Sequence, residues 1–182
     1  MSEVVHVVDD DPDVRKALGR LLALDGFEVQ LSGSTREFLD RYDPATTACI
    51  VLDLSMPGMD GLELQAMLAE RGASHPVVFL TGRGDIASSV RAMKAGAIDF
   101  LTKPVDVDAL LEAVRRGVVM DDSRRHRSLD REDAQALFET LTPRERELVP
   151  HLLTGRLNKQ IAGTLGIAEK TIKVHRSRIM HK

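Results

Sequence analysis

Four short apolar runs, at residues 4–8, 49–52, 77–80 and 98–101, each give way to residues suited to one kind of chemistry: Asp9 and Asp10, Asp53, Thr81, and Lys103. Buried parallel strands read as continuous apolar runs, and open α/β sheets place their ligands beyond the carboxyl ends of the strands. The pattern predicts that these residues, far apart in sequence, converge in one crevice. Carboxylates, a hydroxyl and an ammonium gathered there make a phosphorylation site.

Between the runs, Val14, Leu18, Leu21 and Leu22 follow helical spacing, as do Leu62, Leu64, Met67 and Leu68, and Val90, Met93 and Ala97. With a further strand at 28–31 this makes five β/α units. Gly26, Gly72 and Gly96 read as left-handed helix ends, and Ser34 and Asp60 as helix starts. Asp11, just before Pro12, reads as a helix start rather than a third acid of the crevice. Gly82-Arg83-Gly84 reads as a flexible loop. The predicted fold is an α/β doubly wound five-stranded parallel sheet, flavodoxin-like, with helices on both faces.

A chain of 182 residues with 43% hydrophobic content accommodates two domains. The single cysteine, Cys49, lies inside an apolar run, which excludes an intramolecular disulfide and suits a reducing, cytoplasmic setting. Met1-Ser2-Glu3 opens no basic region followed by a long apolar stretch, and no segment reaches membrane-span length. A soluble protein without membrane contact is expected. The net charge of -3 hides a split. Residues 142–182 carry nine Lys or Arg against three Glu, a net of +6, while the preceding residues carry sixteen against twenty-five, a net of -9. An acidic front half suits a cation-dependent site, and a basic tail suits a polyanion such as DNA.

Asp9 and Asp10 beside Asp53 concentrate negative charge, which is costly unless a divalent cation neutralises it. Mg2+ is the expected cofactor, with Mn2+ as a substitute. Asp10 and Asp53 are the candidate direct ligands and Asp9 a ligand through water. Asp53 doubles as the nucleophile: its carboxylate attacking phosphorus gives an acyl phosphate, with the metal and Lys103 offsetting charge on the phosphoryl oxygens and Thr81 donating a hydrogen bond.

From about residue 118 to 140 charges crowd together with few apolar residues, which reads as a linker, either largely helical or a flexible tether. Beyond it, Thr142-Pro143-Arg144-Glu145 is a capping-box helix start, a second helix runs over 158–165 to Gly166, and a third follows through Met180. This is the layout of a helix-turn-helix. Ile172, His175 and Ile179 share a face that buries against Ile161 and Leu165. The other face carries Lys170, Lys173, Val174, Ser177, Arg178 and His181. Lys173 suits a guanine edge and Val174 a thymine methyl, whereas Lys159, Lys170, Arg176 and Arg178 suit phosphates.

Val8-Asp9-Asp10-Asp11, Leu52-Asp53-Leu54-Ser55-Met56-Pro57-Gly58-Met59-Asp60-Gly61, Leu80-Thr81-Gly82, Met93-Lys94-Ala95-Gly96-Ala97 and Lys103-Pro104 resemble the receiver domain of bacterial two-component response regulators. The resemblance implies that Asp53 takes a phosphoryl group from a sensor histidine kinase, that the backbone carbonyl of Ser55 joins the metal ligands, and that Thr81 and Phe100 form the switch. It further implies that Ser55 and Arg83 tune self-dephosphorylation, and that the face of the fourth helix and fifth strand supports a homodimer on activation.

Leu141-Thr142-Pro143-Arg144-Glu145-Arg146-Glu147, Asn158-Lys159-Gln160-Ile161-Ala162, Leu165-Gly166-Ile167 and Lys170-Thr171-Ile172-Lys173-Val174-His175-Arg176 resemble the LuxR-type DNA-binding domain. Together the two halves resemble response regulators of the FixJ group. The implied organisation is a receiver at 1–120, a linker at 121–140 and a DNA-binding domain at 141–182. In that family the output domain has a fourth helix, and the sequence stops at Lys182 before one. Lys173, Val174 and Ser177 then face bases, with Lys159, Lys170, Thr171, Arg176 and Arg178 completing the contacts to double-stranded promoter DNA. RNA polymerase is a further expected partner. The expected function is phosphorylation-controlled transcription regulation, not enzymatic turnover. The alternatives are a constitutive DNA-binding regulator whose receiver ignores phosphorylation, and a Mg2+-dependent phosphohydrolase, which would need a second acid and a substrate-binding cap.

Overall fold

The computed structural model describes residues 4–73, 75–82 and 86–181. Arg83, Gly84 and Lys182, and the opening Met1-Ser2-Glu3, on which expectations were placed, lie outside the described residues. The chain divides into two compact units, Met1–Arg125 and His126–Lys182.

In the first unit five parallel strands lie in the order β2-β1-β3-β4-β5. They are β1 (Val4–Val8), β2 (Glu28–Ser32), β3 (Thr47–Asp53), β4 (Val77–Thr81) and β5 (Asp99–Thr102). The helices are α1 (Pro12–Leu24), α2 (Thr35–Arg41), α3 (Gly61–Glu70), α4 (Ile86–Lys94) and α5 (Val107–Glu139). β3 starts two residues before its apolar run because Thr47 and Ala48 are buried although neither announces a strand. β5 begins one residue later than its apolar run, although Ile98 still donates its N–H to the Val77 carbonyl at 2.8 Å.

Alternate residues of a strand face opposite sides of the sheet. Ile50, Leu52 and Phe79 therefore join Phe38, Leu64 and Leu68 in one core, and Cys49, Val51, Val78 and Leu80 join Leu18, Leu22, Leu110 and Val114 in the other. Helix starts follow local chemistry. The Asp11 carboxylate accepts from the N–H groups of Asp13 and Val14, Ser34 accepts from Glu37, and Asp60 forms a reciprocal capping box with Glu63. Gly26, Gly72 and Gly96 adopt positive φ where α1, α3 and α4 end.

Residues 118–140 are almost wholly helical, and only the start of the stretch is buried, residues 126–140 being exposed. α5 is continuous from Val107 to Glu139, and Asp121 is only 2% exposed. The first unit takes in Asp121 to Arg125, five residues that the sequence assigns to the linker.

The second unit is built from α6 (Pro143–Leu153), α7 (Asn158–Leu165) and α8 (Glu169–Ile179) after the end of α5. Thr142 and Glu145 form the expected capping box, and Gly166 ends α7 in the left-handed conformation with φ of +65°. Leu148, Ile161, Ala162 and Ile172 make a small core, flanked by Leu152, Leu165, Ile167 and Ile179.

Candidate functional site

Strand register assembles the first site. Val8 pairs with Leu52, so the following residues, Asp9 and Asp53, emerge side by side from neighbouring strands. Leu80 pairs with both Asp53 and Leu101, which brings Thr81 and the Lys103 segment to the same sheet end. The Lys103 N–H donates to the Thr81 carbonyl at 2.7 Å, fixing the chain that carries the lysine. α3 then crosses close beneath. A Cβ on Gly61 would stand 2.5 Å from the Asp53 carbonyl oxygen, so only glycine lets this helix begin there.

Asp9, Asp53 and Thr81 are buried, while Asp10 is exposed at the rim. The Lys103 ammonium lies 2.7 Å from Asp9 Oδ2 and 3.0 Å from Asp53 Oδ2. The remaining oxygens are held by backbone: Asp9 Oδ1 accepts from the Asp11 N–H at 2.9 Å and Asp53 Oδ1 from the Ser55 N–H at 3.3 Å. Burial pushes the Asp9 carboxyl above its ordinary range, with Lys103 acting in the opposite sense. Burial also works against the charged Lys103, but the hydrogen bonds and charges of Asp9 and Asp53 prevail and raise its pKa.

Asp9, Asp10 and Asp53 each offer an oxygen, all within 4.8 Å of one another. Hard oxygen donors with an exposed side fit Mg2+, which keeps several waters. Phe100 is half-buried beside this region, its ring 6.3 Å from that of Phe79.

Sequence reasoning did not single out Arg15, whose Nη1 donates to the Asp9 carbonyl at 2.5 Å. It thereby steadies the backbone next to Asp10, in space left by Gly33. The one sequence signal is its place on α1, a turn beyond the Asp11 cap.

In the second unit Ile172 is buried, and Lys170, Thr171, Lys173, Val174, Arg176, Ser177 and Arg178 are exposed on α8. Lys159 is exposed on α7. His175 is half-buried, with Nδ1 enclosed, in keeping with its place on the inner face. Arg176 donates to Asn158 Oδ1 at 3.3 Å, which orients it along the start of α7.

Comparison with known families matches residues 5–115 to the response regulator receiver domain and residues 139–182 to the bacterial regulatory proteins of the luxR family. The chain belongs to the FixJ-type response regulators. It is 44% identical over 179 residues to Nodulation protein W of Bradyrhizobium diazoefficiens, covering 98% of the chain and 79% of that protein. It is 41% identical over 178 residues to the transcriptional regulatory protein FixJ of Azorhizobium caulinodans, covering 98% and 84% respectively. Among solved structures, the response regulator StyR is 46% identical with a TM-score of 0.86, covering 100% of the chain and 91% of StyR. Full-length FixJ from B. japonicum is 34% identical with a TM-score of 0.63, covering 100% and 90%.

This response regulator thus joins a receiver to a LuxR-type DNA-binding domain, the organisation of phosphorylation-controlled transcription regulators. Its receiver implies a sensor kinase partner and its luxR-family part implies DNA binding. Among the described residues, no helix is long and apolar enough to cross a membrane.

Proposed function

We propose that Asp53 is the phosphoacceptor of a Mg2+-dependent switch that controls the binding of promoter DNA in the cytoplasm. The observation that carries this reading is the Lys103 ammonium bridging two buried carboxylates beside a third, exposed one. Asp10, Asp53 and the Ser55 carbonyl would hold Mg2+ directly and Asp9 through water; when bound, the ion supplies charge neutralisation for the transferring phosphoryl group. An Asp53 carboxylate oxygen attacks phosphorus on the kinase's phosphohistidine. The P–N bond breaks as the P–O bond forms, and the imidazole nitrogen retains the electron pair. Lys103 then pairs with a phosphoryl oxygen, and Thr81 donates a hydrogen bond to another.

Movement of Thr81 toward the phosphoryl group makes room into which Phe100 turns. The α4 and β5 face, where Ile86, Val90 and Met93 are exposed apolar side chains, is the proposed homodimer surface. Lys173, Val174 and Ser177 read bases while Lys159, Lys170, Thr171, Arg176 and Arg178 hold the backbone, with RNA polymerase recruited by the DNA-bound form. The chain acts as phosphoacceptor and regulator rather than as a turnover enzyme. Sedimentation with Mg2+, with and without beryllofluoride, tests this on wild type and Asp53→Asn. Dimerisation of the wild type alone supports the switch. An equal response in Asp53→Asn refutes the phosphoacceptor assignment.

A further inference from the structure

The apolar stripe that packs α5 on the sheet runs through Leu110, Ala113, Val114 and Gly117, and the next position on that face is Asp121. A carboxylate buried to 2% exposure needs partners. Its Oδ1 meets His75 Nδ1 at 3.3 Å and Arg124 at 2.6 Å, and its Oδ2 accepts from Arg125 Nε at 2.5 Å. Those hydrogen bonds hold the Asp121 carboxyl below the usual carboxylate range although burial alone would raise it.

Arg125 also donates to the carbonyls of Ala45 and Thr47. The Tyr42 ring stacks edge-on against His75, and Thr47 Oγ1 lies 3.2 Å from the buried His6 Nε2. Thr47 is the first residue of β3, and His75 and Pro76 lead into β4. The cluster therefore grips the amino ends of the two strands whose carboxyl ends present Asp53 and Thr81.

Apolar contact contributes little to this last docked turn. Val119 and Met120 are 65% and 57% exposed, and the stripe reaches only to Val118. The polar cluster is what holds it.

We propose that Asp121, His75, Arg124 and Arg125 form a latch that fastens the continuation of α5 to the receiver and that is required for phosphorylation at Asp53 to affect DNA binding. Intact, it keeps residues 121–125 helical and docked. Broken, the receiver still accepts a phosphoryl group, but its state no longer reaches the segment that enters the second unit. This proposal rests on the phosphorylation-controlled reading above.

The test uses the full chain as wild type, Asp121→Asn and Arg125→Gln. The second variant leaves the Asp121 carboxylate with His75 and Arg124 and guards against simple misfolding of the first. Three quantities are measured: hydrogen–deuterium exchange, beryllofluoride binding with Mg2+ by fluorine NMR, and the beryllofluoride-induced gain in affinity. The DNA probe is a duplex recovered from a random pool by the beryllofluoride-bound wild type.

Both variants are expected to exchange tenfold or more faster at residues 119–127, with β1 and residues 50–53 of β3 unchanged and beryllofluoride still bound, while the gain in DNA affinity falls toward onefold. Wild-type exchange at 119–127 in both variants overturns the latch. Fast exchange with an undiminished gain overturns its role in transmission. A wild type that binds no beryllofluoride, or binds it without any gain, refutes the phosphorylation-controlled reading itself; the exchange comparison still judges the anchoring.

Discussion

Lys103 stands between two carboxylates that the fold has taken out of water, so its replacement by methionine is a direct test of how the acidic site is held. The substitution keeps a side chain of similar length and removes the ammonium 2.7 Å from Asp9 and 3.0 Å from Asp53. At an effective dielectric constant of about 20, each contact represents roughly 5–6 kcal/mol of Coulomb attraction, most of it offset by desolvation. Removing one partner of a buried pair costs about 3–5 kcal/mol. The Lys103 side chain retains 20% exposure, so water can reach the gap and the lower end applies, about 3 kcal/mol. Mg2+ stabilises any form that binds it, by about 2.7 kcal/mol at a hundredfold excess over Kd. Without the competing ammonium the variant binds the ion more tightly and recovers more. Urea unfolding of both proteins, in chelator and in Mg2+, should show a gap of about 3 kcal/mol that narrows as Mg2+ is added. Uptake of phosphoryl from acetyl phosphate should stay low in the variant throughout. Equal stability in chelator, or a gap that Mg2+ leaves unchanged, would refute the reasoning.

Acidification should weaken the receiver unit through His6. Burial, with the charge of His75 adding, lowers its pKa from 6.5 to about 4, so between these values the unfolded chain binds a proton that the folded chain refuses. Stability should fall by about 3 kcal/mol as pH drops through that window, and His6→Gln should flatten this part of the urea-midpoint profile; parallel profiles would count against it. Gly117→Ala would bring a Cβ to 2.8 Å from Cys49 Sγ and 3.2 Å from Ile98 Cδ1. Overpacking of about 1–3 kcal/mol should outweigh the roughly 1 kcal/mol that alanine adds to a helix, and Cys49→Ala should relieve it; strictly additive unfolding energies would contradict the contact. Lys173→Ala should cost about 1–3 kcal/mol on the preferred duplex and less on others, whereas Arg178→Ala should weaken all duplexes alike and reduce the salt slope by about 0.9. Equal losses of Lys173→Ala across target variants would remove its base-reading role.

The acidic site was legible because its information is local. A buried parallel strand reads as a largely apolar run, and the polar residues that follow fall at the sheet end; Asp9, Asp53 and Thr81, each the first after its run, and Lys103, one place beyond Thr102, meet for that reason. What the runs do not encode is how the loops are held in place. The Arg15 bond to the Asp9 carbonyl depends on α1 lying over β1, and the need for Gly61 depends on how near α3 comes to Asp53. Neither leaves a pattern in its own stretch of chain, since glycine and arginine are ordinary at helix starts and on helix surfaces. In the second unit the capping box, the helix end at Gly166 and the inward Ile172 were all readable, because caps and helical faces are set by neighbours within a few residues.

α5 marks the limit of such reading. Asp121 follows Leu110, Val114 and Gly117 on one helical face, so its position pointed inward while its charge pointed out, and in a segment crowded with Asp and Arg the charge prevailed. Its resolution lay in His75, 46 residues earlier, and in two arginines, of which Arg125 reaches the carbonyls of Ala45 and Thr47 only once the sheet is complete. A carboxylate on a core-facing stripe is tolerable only where the fold delivers counter-charges, and that delivery is a property of topology. The first compact unit accordingly runs on to Arg125, past the change in composition near residue 118, because the core-facing stripe turns polar at Asp121 and remains buried.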